Sequence, residues 1–361
     1  MSTHVKGRGA QVRPGNRFER VHYQIDLEHF DCVDIEEDGY VERLRAMPTE
    51  YYFDETQSII AENNSPDIPF RYSLNPYRGC VHGCAYCYAR PTHEYLGFDA
   101  GLDFETKVMV KRDAPRLFRD WLARDAWQPE LIAMSGVTDC YQPAERHFRL
   151  TRGCLQVASE ARQPIGIVTK NALVVRDADI LREMASCDTV SVAVSINSLD
   201  HELARSLEPR TSTPSARLRA IERLSSAGVA TAVVVGPVIP GLNDHEMAAI
   251  LAAAASAGAS SASYILLRLP LAVEPIFVDW LRRVRPSSAE KIIGRIQATR
   301  DGNMSCSQFG GRMRGTGPIA EQIANTFQVF AAKYRLDRHW PPLDATQFRP
   351  PVDSSGQLRL F

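Results

Sequence analysis

The stretch Arg71-Tyr-Ser-Leu-Asn-Pro-Tyr-Arg-Gly-Cys80-Val-His-Gly-Cys84-Ala-Tyr-Cys87 puts a short strand-like run, Arg71–Leu74, just ahead of three cysteines confined to eight residues. A C-x3-C-x2-C spacing can wrap three thiolates around one corner of an iron–sulfur cluster. A four-iron cubane normally takes four thiolates and this run holds three, so one iron would be left open to bind a small molecule directly. Structural zinc sites, by contrast, are closed and four-coordinate, usually built from two separated ligand pairs. No second pair occurs in the chain. His82, inside the loop, offers a Cys3His alternative, although a histidine pinned between two ligating cysteines has awkward reach.

Downstream of this loop, β-branched and apolar runs alternate with amphipathic segments, the rhythm of a parallel sheet covered by helices. With Arg71–Leu74 as the first, further strands are expected at Leu131–Ser135, Ile165–Thr169, Thr189–Ser195, Ala230–Gly236 and Ala262–Leu267, six in all. Thr213-Pro214 supplies an N-cap and an N1 proline to a helix that Gly228 ends, and Asn243-Asp-His-Glu246 reads as a capping box for Met247–Ala257. After Leu269-Pro270 two amphipathic helices, Val273–Val284 and Ala289–Thr299, precede a glycine-rich basic loop, Gly310–Gly317, and a last helix, Ile319–Tyr334. The expected division is an N-terminal extension, partly flexible, over 1–69, a catalytic core over 70–270, and a helical extension with an extended tail over 271–361. A βα barrel carries its chemistry at the carboxyl ends of its strands, and the cysteine loop sits at such an end. Spacing alone leaves a closed and an open barrel equally admissible.

The chain has 361 residues, 44% hydrophobic and 24% charged, ample for a buried core. A net charge of −1 gives no global attraction to nucleic acid. The basic residues Lys6, Arg8, Arg13, Arg17 and Arg20, followed by an acidic stretch from Asp26 to Asp54, read as a solvated arm. Of the eight cysteines, Cys32, Cys140, Cys154, Cys187 and Cys306 are scattered. The start lacks a signal-peptide apolar region and no run of about 18 apolar residues occurs, so a reducing, cytoplasmic location and no membrane are expected.

The triplet, with Tyr86 ahead of its third cysteine, resembles the signature of the radical S-adenosylmethionine (radical SAM) enzymes. The words Asn75-Pro-Tyr-Arg-Gly-Cys80, Thr138-Asp-Cys-Tyr-Gln-Pro-Ala-Glu145, Thr169-Lys170 and Pro237-Val-Ile-Pro-Gly-Leu-Asn-Asp244 are similar to the spore photoproduct lyase-like branch, and within it to an uncharacterised bacterial group, over Phe70 to Gly311. The resemblance implies a partial (β/α)6 TIM-like barrel with N- and C-terminal extensions. It also implies a [4Fe-4S] cluster with three cysteine ligands and one open iron, chelated by the amino and carboxylate groups of S-adenosylmethionine (SAM). Reductive cleavage of SAM to a 5′-deoxyadenosyl radical would follow, fed by an electron donor such as flavodoxin or ferredoxin. By analogy the substrate is a nucleic acid undergoing lesion repair or modification.

On that resemblance Cys80, Cys84 and Cys87 are the cluster ligands. Tyr86 packs near the adenine or simply fills the loop. Lys170 pairs with the cofactor carboxylate or is an ordinary strand-end lysine. Ser195 and Asn197 grip the ribose or cap a turn. Ser135, Gly136 and Thr138 face the cofactor amino group, Gly136 permitting close backbone approach, while Asp139 contributes there or caps the next helix. Glu145 is read as structural. Spore photoproduct lyase donates a hydrogen atom from a cysteine near this strand end, where Gly136 stands here; Cys140, four residues on, is a displaced candidate, with a buried small hydrophobe as its other reading. Arg282, Arg283, Arg285, Lys291, Arg295, Arg300, Arg312 and Arg314 form a stripe that would suit a phosphate backbone or merely a solvated face. A zinc-stabilised nucleic-acid-binding protein using triplet and stripe is the alternative of another class.

Overall fold

In the computed structural model, which describes residues 7–12, 14, 17, 48–338, 340 and 342–351, all six expected strands form. In chain order the strands are β1 (Glu50–Phe53), β2 (Ile60–Glu62), β3 (Tyr72–Leu74), β4 (Tyr77–Arg78), β5 (Lys107–Val110), β6 (Ile132–Met134), β7 (Ile165–Thr169), β8 (Val190–Ile196), β9 (Ala230–Val238) and β10 (Ser261–Leu266). The main sheet runs β10-β9-β8-β7-β6-β3-β2. Its six expected members pair in parallel, Tyr72 opposite Ile132, Ile165 opposite Val190 and Ile196 opposite Val235, while β2 adds an antiparallel edge. Because β2 and β10 are both edges, the barrel is open.

Helices on the sheet explain why the middle strands read as unbroken apolar runs: every residue of β8 is buried, as expected of a parallel strand covered on both faces. Thr213 caps the helix Pro214–Ser226 through Oγ1, which accepts from Ala216 N, and proline occupies its first turn. The capping box read at Asn243–Glu246 does not form. Asn243 instead accepts from Ile239 N and donates to Asn197 O and Pro237 O, and Glu246 accepts from Ser198 Oγ and Leu199 N. These two residues stitch the loops after β8 and β9 together, a tertiary use that outcompetes the local cap. The tail after Pro341 packs across the opposite end of the sheet from the cysteines, Asp344 N donating to Asp188 O and Arg349 N to Ala161 O.

Two apolar clusters position the site. The larger joins the strands to their covering helices, with Leu74, Ile132, Met134, Ile167, Val192 and Val233 at its centre. The second lies under the cysteine loop, where Cys84, Ala85 and Tyr86 pack with Leu207, Leu267, Phe277 and Trp280. The helices Val273–Val284 and Ala289–Ala298 thus buttress the loop, and Trp280 Nε1 donates to Ser206 O. No helix among the described residues is long and apolar enough to cross a membrane.

Candidate active site

The cysteine loop is fixed from behind by paired charges. Arg90, 0% exposed, donates from Nε and Nη2 to Cys84 O, from Nη1 to Ala100 O and Gly101 O, and from Nη2 to Glu105 at 2.5 Å. Buried charges persist only when paired and hydrogen-bonded, and every nitrogen of this guanidinium is engaged. Glu105 in turn accepts from Gly9 N at 3.2 Å and Ala10 N at 2.8 Å. A side chain at Gly9 would place its Cβ 1.8 Å from Gly83 O, so only glycine lets this segment lie against the loop. Arg8, buried, donates to Glu105 O; burial and nearby Arg210 pull its pKa down to about 10, against the pull of Glu105. The solvated-arm reading therefore fails at Arg8–Ala10, all three buried. Most of the remaining arm, with Cys32, lies outside the described residues.

Further bonds set the loop's path. Cys80 N donates to Phe104 O, Ala85 N to Leu207 O, and Gln142 joins Val81 N and Gly79 O. Cys80 and Cys84 are buried, Cys87 is half-buried, and no disulfide involves them. Burial pushes the Cys80 thiol up to about 12, with Asp139 adding to the effect, and holds Cys84 well above its ordinary value. The metal-free thiols are therefore neutral, and loading metal displaces their protons.

His82 sits within the triplet but is engaged elsewhere: Nδ1 lies 3.5 Å from Asp139 Oδ2 and Nε2 3.2 Å from Asn171 Nδ2. Burial lowers its pKa, opposed by Asp139. Among the described residues no three His, Cys, Asp or Glu side chains converge on a single ion. A cubane, in which each thiolate takes its own iron, does not require that convergence.

The strand ends differ in how far their polar groups are committed. Ser135 adopts φ 89° and its Oγ accepts from Cys140 N. Gly136 approaches Ser73 so closely that a Cβ would lie 2.9 Å from that residue's Cβ. Thr138 donates to Tyr77 O, and Ser195 to Gly236 O. Asp139 accepts from Tyr141 N, Thr169 Oγ1 and Lys170 N, tying the ends of β6 and β7 together. Glu145 is structural, accepting from Tyr77 OH, Arg176 and the first amides of the helix Leu150–Ala161. Tyr86 OH donates to buried Glu208, which pairs with Arg217 at 2.5 Å, and Arg217 donates to Ser195 O. This chain links the cysteine loop to the end of β8.

Two groups at these ends are uncommitted. The Lys170 ammonium lies 6.0 Å from the Tyr86 ring centroid, with no carboxylate in ion-pair reach among the described residues; burial lowers its pKa, but Glu208 and Cys84 outweigh that and raise it. Asn197, 1% exposed, has no partner among the described residues for either Nδ2 or Oδ1. A buried amide left unpaired costs about 1–3 kcal/mol, an expense a bound polar ligand would remove. Cys140 is not brought to this place: it is 0% exposed, within the larger apolar cluster beside Tyr141 and Cys154, and burial holds its thiol well above the ordinary value.

Tyr88, absent from the sequence reading, follows Cys87 and is 48% exposed. Its hydroxyl donates to Gly136 O after β6, and the Arg268 guanidinium after β10 lies 5.4 Å from its ring centroid. One side chain thus touches the ends of two strands separated by three others in the sheet. Half of the Arg282–Arg314 stripe is engaged within the protein. Arg282 pairs with Glu290, Arg283 with Asp279 and Arg312 with Asp67, while Arg300 donates to Leu267 O and Gly311 O.

Uncharacterised proteins of Mycobacterium bovis and Mycobacterium tuberculosis are each 41% identical over 225 residues, 62% of this chain; the chain spans 66% of the length of these curated relatives. An uncharacterised protein of Methanocaldococcus jannaschii is 32% identical over 184 residues, 51% of this chain and 66% of its own. Among solved structures, spore photoproduct lyase complexed with dinucleoside spore photoproduct superposes with a TM-score of 0.57 at 16% identity, covering 80% of this chain and 84% of the lyase. A variant of that enzyme with bound AdoMet and the same dinucleoside also gives 0.57, over 79% and 78%. At that identity the likeness carries the fold alone. The Radical SAM superfamily model matches residues 74–254, half of the chain, and the chain belongs to that superfamily.

Proposed function

We propose that this chain is a radical SAM enzyme whose Cys80, Cys84 and Cys87 hold a [4Fe-4S] cluster with one open iron. The observation that carries the reading is the conjunction of a three-cysteine loop, locked at the carboxyl ends of a parallel sheet, with a Lys170 ammonium that has no carboxylate in ion-pair reach and an Asn197 amide that has no hydrogen-bond partner among the described residues. A cluster held by Cys80, Cys84 and Cys87, with SAM beside it, would supply one-electron reductive cleavage of the sulfonium, the electron coming from an external donor.

The protein's share is position and charge. Lys170 supplies a point charge for the SAM carboxylate, and Asn197 supplies a donor and an acceptor for ribose hydroxyls. Tyr86, held by Glu208, gives the cofactor an apolar wall. Gly136 and its neighbours offer backbone to the amino group, while the Ser135 hydroxyl is oriented by Cys140 N and the Thr138 hydroxyl by Tyr77 O. Ser195 acts through Gly236 O and Arg217, as a brace. Arg90 and Glu105 keep the loop from shifting as charge on the cluster changes. An external one-electron donor of the flavodoxin or ferredoxin class is required. The resemblance makes a nucleic acid the first substrate class to try, although ion pairs engage three of the eight basic residues of the Arg282–Arg314 stripe, Arg282, Arg283 and Arg312.

Low-temperature electron paramagnetic resonance (EPR) of the anaerobically reconstituted, reduced protein tests the reading. We expect a reduced-cluster signal that changes when SAM is added and that Cys80→Ala abolishes. Stoichiometric zinc in a colourless protein that never gives the signal after iron reconstitution would overturn it in favour of a zinc-stabilised module, for which engaged His82 leaves no fourth ligand within the loop.

A further inference from the structure

The arginines around the site end on acceptors, with one exception. Arg90 meets Glu105 and three carbonyls, Arg217 meets Glu208 and two carbonyls, Arg300 meets two carbonyls, and Arg312 takes both oxygens of Asp67. Arg268 meets no carboxylate and no carbonyl among the described residues. Its single hydrogen-bond partner is the Met313 thioether, 3.4 Å from Nη1, a weak acceptor. The Tyr88 ring lies against the guanidinium, which adds a cation–π contact but leaves the planar donors unsatisfied.

Asp67, the acid in electrostatic reach of Arg268, is consumed by Arg312 and by Gly310 N, so Arg268 is left beside a second cation. Burial and that neighbour lower its pKa, which records the expense of holding the charge there. Position gives the charge a purpose. Tyr88 follows Cys87 and is bonded to Gly136, so Arg268 faces the space over the cysteine loop at the carboxyl ends of β6 and β10.

We propose that Arg268 anchors an oxyanion carried by the substrate, a phosphate or a carboxylate, beside Tyr88 at the mouth of the open barrel. A planar guanidinium with free donors suits bidentate capture of either group. The proposal rests on the mouth being a radical SAM active site and narrows its substrates to anionic molecules.

Arginine-selective labelling with phenylglyoxal, read residue by residue by mass spectrometry on the reconstituted full chain, tests it. The arms are no addition, SAM, inorganic phosphate with SAM, and acetate with SAM. Arg268 is expected to label at least tenfold faster than Arg217 or Arg300, and phosphate or acetate to slow it at least threefold while exposed Arg146 is unaffected. Protection by phosphate alone assigns a phosphoryl group; protection by acetate assigns a carboxylate. Inert Arg268, labelling that neither anion slows, or protection completed by SAM alone, which would give the residue to the cofactor, each overturns the proposal. EPR of the same sample separates the two failures, since loss of the SAM-dependent change refutes the enzyme reading whatever Arg268 does.

Discussion

Behind the cysteine loop charges are matched one to one, whereas in front of it they are left open. Arg90 has Glu105, Glu105 has the amides of Gly9 and Ala10, and Glu208 has Arg217 and Tyr86. Among the described residues Lys170, Asn197 and Arg268 have no comparable partners. The protein tolerates unsatisfied polar groups on one side of the triplet and closes them on the other. Matching marks what must not move, and its absence marks where something else is to bind.

The matched side is the place to break the comparison first. Arg90→Met leaves the Glu105 carboxylate buried with two amides and the Coulomb pull of Arg8, a loss of about 3–5 kcal/mol and a fall of roughly 5 °C in Tm. Differential scanning calorimetry of the metal-free protein measures it without involving the cluster. A cost below about 1 kcal/mol would mean that the pair is ornamental and the contrast between the two sides empty.

His93 sharpens the rule, because it is unmatched yet faces no mouth. Among the described residues neither ring nitrogen makes a well-formed hydrogen bond, although Asp103 and the Lys107 backbone lie near enough to oppose the effect of burial, and the ring packs between Phe98 and Phe104. Burial lowers its pKa from 6.5 to about 4. The unfolded chain therefore takes up a proton that the folded protein refuses, so stability from this site is complete above pH 6.5 and is lost as pH falls toward 4. At about 1.4 kcal/mol per pH unit the loss reaches roughly 3 kcal/mol. His93→Phe should remove it, so that the Tm advantage of the variant widens from pH 7 to pH 4.5. A constant difference across that range would show that His93 does not titrate as its surroundings require.

Much of this contrast was out of reach of the sequence, and the division has a physical cause. The cysteine spacing and the β-branched runs of β7, β8 and β9 are local patterns, so loop and parallel sheet could be read directly. The places of Lys170 and Asn197, directly after β7 and β8, could be read for the same reason. The matched side is assembled from distant partners, Gly9 meeting Glu105 across 96 positions, and nothing in one chain says which glutamate an arginine will meet. The single hint was Gly7-Arg8-Gly9, two glycines around a cation in an arm that otherwise looked solvated. Of the two readings of Cys140, its sealed position, 0% exposed in the apolar cluster, favours the buried small hydrophobe over the hydrogen donor.

The smallest stability change carries the finest test. Asn197→Leu is close to isosteric and deletes an amide that the protein itself leaves unpaired, so ordinary mutational expectation is reversed: Tm should hold or rise, by about 1 kcal/mol in free energy. If the amide is there for SAM, the same variant should need roughly tenfold more SAM to produce the EPR change, the equivalent of about 1.4 kcal/mol of lost binding. Both outcomes are needed together. A fall in Tm with an unchanged SAM titration would make Asn197 a structural residue like Ser195, and the open side of the loop would begin at Lys170 and Arg268 alone. A Tm that holds while the SAM titration shifts would establish that this buried amide is satisfied by a ligand, the physical content of calling that side of the loop open.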